Sequence, residues 1–113
     1  MPDKDRSPLM RRGEEFGCLT ELVDYQSGAV VSRTILKTES GNLTLFAFDE
    51  DEGLSEHTTP KDALIWILEG KLEATVGSET VPLGPGEFIR LPARIPHAIH
   101  ALEQMKMILV LFQ

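Results

Sequence analysis

A chain of 113 residues with 42% apolar side chains is long enough for one domain with a buried core and too short for two. Its 11 basic and 18 acidic residues leave a net charge of −7, which argues against a nucleic-acid partner, because phosphate-binding proteins present a basic stripe. No apolar run is long enough for a membrane-crossing helix, and MPDKDRSPLMRRGEEF carries charge with no apolar segment behind it, so neither a membrane partner nor a signal peptide is expected and the expected compartment is the cytoplasm.

From the N-terminus, residues 1–15 are polar and broken by Pro2, Pro8 and Gly13; they read as an arm, with residues 16–113 as a single domain. A turn of helix is expected within Arg11 to Tyr25. The lone Cys18 has no partner for an internal disulfide and no local base to make it a nucleophile, so it reads as a small packing residue.

Beyond Tyr25, turn signals recur at short intervals: Ser27-Gly28, Ser40-Gly41-Asn42, Gly53, Glu69-Gly70, Gly77-Ser78, Gly84-Pro85-Gly86, Pro92 and Pro96. Between them lie runs rich in Val, Ile, Leu, Thr and Phe, the pattern of an all-β sandwich or barrel. Strands are predicted at Ala29 to Lys37, Leu43 to Phe48, Leu64 to Leu68, Lys71 to Val76, Thr80 to Leu83, Glu87 to Leu91, Ala98 to Leu102 and Lys106 to Phe112. Lys71 to Val76 alternates, with Leu72, Ala74 and Val76 on one face. Leu43 to Phe48 and the final run MKMILVLF are apolar on both faces, which predicts burial on both sides and a central position for the last strand. Asp49-Glu50-Asp51-Glu52 reads as a solvated loop. Phe46, Phe48, Phe88, Met105 and Met107 are core candidates. Trp66, opposite in parity to Ile65 and Ile67, is expected to face a neighbouring sheet or subunit.

The chemistry-bearing residues are the three histidines, His57, His97 and His100. His57 lies in GLSEHTTPKDALIWILEG and His97 in GPGEFIRLPARIPHAIHALE. These segments resemble the two sequence motifs of the cupin superfamily, of form G, H-x-H, Glu, Gly and G-x5-P-x-G-x2-H-x3-N. Gly53, His57, Pro60 and Leu68-Glu69-Gly70 fall in place in the first motif, and Gly86, Pro92 and His97 in the second. The resemblance runs from about Gly28 to the C-terminus. It implies a small jelly-roll barrel (a double-stranded β-helix), and in metal-binding members a site of three histidines and a carboxylate.

This chain departs from that pattern. Thr59 stands in place of the second His, Ala63 in place of the Glu, Arg94 in place of the Gly before His97, and Ala101 in place of the Asn. Asp62, one residue from the Glu position, is turned outward by strand alternation unless a bulge reverses it. The resemblance therefore implies His57, Thr59 and His97 as ligand-binding residues. It leaves His57 and His97 as metal ligands for a divalent ion (Fe, Mn, Ni or Zn), with His97 as the candidate acid or base. His100, three residues beyond His97, should be exposed, and Arg90 and Arg94 are surface charges or contacts for an anion at the pocket mouth.

A cupin barrel hosts many functions. The first expectation is a small-molecule-binding protein anchored by the two histidines. Two alternatives stay open: a metal-assisted or histidine-dependent enzyme of isomerase, dioxygenase or decarboxylase type on a small polar substrate, and a structural or oligomerisation module. A homodimer is the expected assembly.

Overall fold

The computed structural model describes residues 10–113, so Pro2 and Pro8 of the expected arm lie outside the described residues. Nine strands follow one another: β1 (Val30–Thr38), β2 (Gly41–Phe48), β3 (Gly53–His57), β4 (Ala63–Glu69), β5 (Leu72–Val76), β6 (Glu79–Leu83), β7 (Phe88–Leu91), β8 (His97–Ala101) and β9 (Met105–Phe112). They form a five-stranded sheet, β1-β2-β9-β4-β7, and a four-stranded sheet, β3-β8-β5-β6. Every pairing is antiparallel. The eight predicted strands are present to within two residues at each end, and β3 is the one that periodicity missed. Among the described residues no helix is long and apolar enough to cross a membrane.

The period-2 patterns settle against one another as the sequence requires. The five-stranded sheet contributes Phe48, Ile65, Ile67, Leu91, Met105 and Met107 to the interior, and the four-stranded sheet contributes Leu72, Ala74, Leu83, Ile99 and Ala101. Fully burying a large apolar side chain stabilises a fold by roughly 1.5–3 kcal/mol. Six of the seven largest fully buried side chains (Phe48, Ile65, Ile67, Leu72, Met105 and Met107) lie in this interior, so the barrel carries most of the stability.

A second apolar cluster lies on the outer face of the five-stranded sheet. Leu45, Ala47 and Ile108 are covered there by Leu19, Leu22, Val23 and Tyr25. This explains why β2 and β9 are apolar on both faces, and β9 is central, between β2 and β4. The covering segment is tied down by Lys106, only 7% exposed, whose Nζ donates to the Thr20 carbonyl at 2.5 Å and lies 4.9 Å from the Tyr25 ring centroid. Tyr25 Oη donates to Glu69 at 2.5 Å. Burial, and then that bond to a carboxylate, push the phenol well above its ordinary pKa.

The turn of helix expected within Arg11 to Tyr25 is present as a single 3-10 turn at Leu19–Glu21, and two other expectations change. Cys18 is exposed beside Thr20. Phe88 is 61% exposed, because it pairs with the outward-facing Trp66 and shares its face. Leu64, Trp66 and Phe88 thus line an apolar groove on the part of the outer face that Leu19 to Tyr25 leaves uncovered.

Candidate functional site

β3 and β8 are neighbours, and their ends bring the two segments of interest together. His57 closes β3, His97 opens β8, and the two are register partners. Gly53 begins this pairing because a Cβ there would overlap the Ile99 carbonyl. Leu54 pairs with Ile99 and packs on the interior, so a regular strand would turn His57, three residues later, outward. The register shifts between Leu54 and His57: two residues, Ser55 and Glu56, stand opposite the single Ala98. That bulge restores His57 to the face of His97. It also removes the alternation that would have marked β3 in the sequence.

The two rings meet edge to face, with centroids 4.3 Å apart and planes at 70°. Their Nε2 atoms are 3.1 Å apart. Each Nδ1 lies against the carbonyl two residues earlier, His57 at 2.9 Å from Ser55 O and His97 at 3.2 Å from Ile95 O. A carbonyl only accepts, so each Nδ1 carries the ring hydrogen and each Nε2 is left with a lone pair. Three contacts thus need three N–H hydrogens, whereas two neutral imidazoles have two. With both rings neutral the pair is one hydrogen short, and two acceptors face one another.

Burial opposes supplying that hydrogen as a proton on His97. The residue is 4% exposed, and desolvation holds its pKa below the ordinary histidine value. The Ile95 carbonyl works against this and the neighbouring His57 adds to it, both more weakly. His57 itself is exposed. The site is therefore a buried imidazole, its neutral form favoured by desolvation, with an exposed partner at the end of the β3–β8 pairing.

Residues 44–112 match the family model described as a cupin domain. The chain belongs to the cupin family. It is 34% identical to a conserved protein of unknown function from Streptococcus pyogenes, whose crystal structure superposes with a TM-score of 0.81 over 85% of this chain and 84% of that one. It is 35% identical to a cupin 2 conserved barrel domain protein from Leptotrichia buccalis, with a TM-score of 0.79; that match covers 83% of this cupin but only 46% of the Leptotrichia protein. An uncharacterized protein from Streptomyces coelicolor is 26% identical over 77 residues, which are 68% of this chain and 73% of that one.

The remaining motif positions supply no further side chain of the metal-binding pattern. Ala63 is 5% exposed and packs in the interior, so a methyl group occupies the carboxylate position. Asp62 is exposed and its Oδ1 accepts the Ala93 amide at 2.8 Å, outside the pair, as alternation predicts. Thr59 Oγ1 accepts the Lys61 amide at 3.2 Å, a bond that leaves its own hydroxyl hydrogen available to donate. Among the described residues no group of three or more His, Cys, Asp or Glu side chains converges on one point. Two carbonyl-anchored imidazoles suit half a metal site. With an alkyl group and a neutral hydroxyl in the other positions, the donor set does not fit a four-ligand resident metal.

Of the other candidates, His100 points away and meets Asp51 at 3.3 Å in solvent. Arg90 lies on the outer face of β7 opposite Leu64. Sequence reasoning had no access to the Ser55 and Ile95 carbonyls, because every residue has one; only their i−2 placement on both sides of the pair reveals the role.

Proposed function

We propose that this cupin binds a small hydroxyl-bearing molecule at the barrel mouth, with His57 and His97 as its polar anchor and Thr59 beside them. The missing hydrogen carries this reading. Two lone pairs 3.1 Å apart can share one donated hydrogen, and a ligand O–H supplies it without charging the buried ring. Leaving buried His97 Nε2 unmatched costs about 1–3 kcal/mol, which is the most that a hydroxyl donor recovers there on binding.

The test is calorimetry and imidazole 15N NMR with a neutral polyol such as sorbitol. Binding should move the Nε2 resonances of both rings, and a His57→Ala/His97→Ala double variant should lose it. Stoichiometric, tightly held metal in protein stripped with chelator and reloaded would sink the reading.

The neutral state of buried His97 favours a second reading, in which the same lone pair takes a proton from a bound substrate. Incubation of a bound hydroxy compound followed by product analysis decides it. Quantitative recovery of unchanged ligand rules the enzyme out.

A further inference from the structure

The loop that delivers His97 holds its backbone in a conformation that bulky residues avoid. Arg94 has φ +66°, in the left-handed region, where glycine carries no penalty. The motif this chain resembles has glycine at this position, so the fold keeps the turn while the sequence places an arginine on it.

The turn is fixed next to the site. Arg94 N donates to Thr59 O at 2.7 Å, and Ile95 N donates to Pro92 O at 3.3 Å. The Arg94 backbone is thereby pinned two residues from His57 on one side and three from His97 on the other. Its side chain is exposed, and among the described residues no carboxylate or carbonyl is paired with the guanidinium. The other cations near this end are differently placed: Lys61 Nζ contacts the Gln113 side chain, and Arg90 lies on the outer sheet face. Like Lys61 and Arg90, Arg94 has no acidic partner among the described residues; of these three cations it alone has a left-handed backbone, in the loop that leads to His97.

We infer that Arg94 is the specificity residue of this site and that it selects a carboxylate, which makes the ligand class a small hydroxy acid. The hydroxyl donates to the Nε2 pair, and the carboxylate takes the two parallel N–H bonds that a guanidinium offers. The inference rests on the histidine reading above and adds the acid group to it. It also explains why a strained arginine stands where glycine is relaxed: strain held at a site is tolerated where the side chain is used.

Three probes separate the groups: lactate, propanoate, which lacks the hydroxyl, and 1,2-propanediol, which lacks the carboxylate. Gluconate and sorbitol repeat the comparison at larger size. In calorimetry and thermal shift the parent protein should bind the hydroxy acid at least fivefold more tightly than either control. Arg94→Gly should melt no lower than the parent and lose at least tenfold in hydroxy-acid affinity, while binding the polyol unchanged. Arg94→Lys should keep part of the affinity.

Hydroxy-acid affinity within twofold of the parent in Arg94→Gly overturns the inference, as does a parent protein that binds neither lactate nor gluconate. A response to polyol alone overturns it while leaving the histidine reading standing. Hydroxy-acid binding that survives the His57→Ala/His97→Ala double variant but is lost in Arg94→Gly overturns the histidine reading instead.

Discussion

His57 and His97 face each other with their Nε2 atoms 3.1 Å apart, and neither ring can turn its Nδ1 hydrogen to the other without giving up a backbone carbonyl. This arrangement makes the mouth of the barrel sensitive to protons, to hydrogen-bond donors and to any change in the residues around it.

The pH dependence follows from His97. Its folded pKa lies below the ordinary value near 6.5, chiefly because it is desolvated. Below that ordinary value the unfolded chain binds more protons than the folded one, so stability rises with pH in this window. The contribution is fully present above the unfolded pKa and is lost as pH falls through the folded one. Urea midpoints should be higher at pH 8 than at pH 5.5, and a His97→Gln variant should reduce the difference. His57→Ala removes one cause of the lowering and uncovers the ring, so His97 should titrate higher in an NMR titration of that variant.

A metal site can be designed at the Ala63 and Thr59 positions. Ala63→Glu alone places a carboxylate at an interior position and should cost roughly 2–4 kcal/mol in urea unfolding. Combined with Thr59→His, it should create a zinc site with His57 and His97. Zinc at a hundredfold excess over its Kd would then return about 2.7 kcal/mol. The parent should melt at the same temperature with and without chelator. A double variant whose Tm ignores zinc would show that these positions do not converge.

Lys106 is the fastening between the barrel and the segment from Leu19 to Tyr25. Its Nζ reaches the Thr20 carbonyl at 2.5 Å and lies 3.9 Å from Glu69. Lys106→Ala removes a charged donor and its apolar stem, and should cost roughly 1.5–3 kcal/mol. Lys106→Met keeps the stem and should cost less. Limited proteolysis should cut between residues 19 and 25 first in the alanine variant; an unchanged pattern means that apolar packing alone holds the segment.

The homodimer expected from the sequence can be tested at the Trp66–Phe88 face. These cross-strand partners are 50% and 61% exposed and continue an outer face that the chain covers elsewhere. Light scattering should give about twice the 12.6 kDa chain mass for the parent and the single-chain mass for Trp66→Glu/Phe88→Glu. A dimer that survives both charges uses another surface.

The sequence by itself determined the barrel. Turn residues at short spacing and runs of β-branched and aromatic side chains specify strands locally, and alternation in segments such as Leu72 to Val76 states which face is buried. It also determined what the mouth lacks, since Thr59 and Ala63 can be read directly. Tertiary structure decided what the mouth has. The bulge at Ser55 and Glu56 exists only when β3 is laid against β8, and it alone turns His57 toward His97. The tautomers depend on two backbone carbonyls that any sequence would contain. Phe88 reads as core by composition but is placed outside by its pairing with Trp66, because register is a property of two strands. Arg94 reads as an ordinary surface charge until its φ shows that the fold holds it where glycine would be at ease.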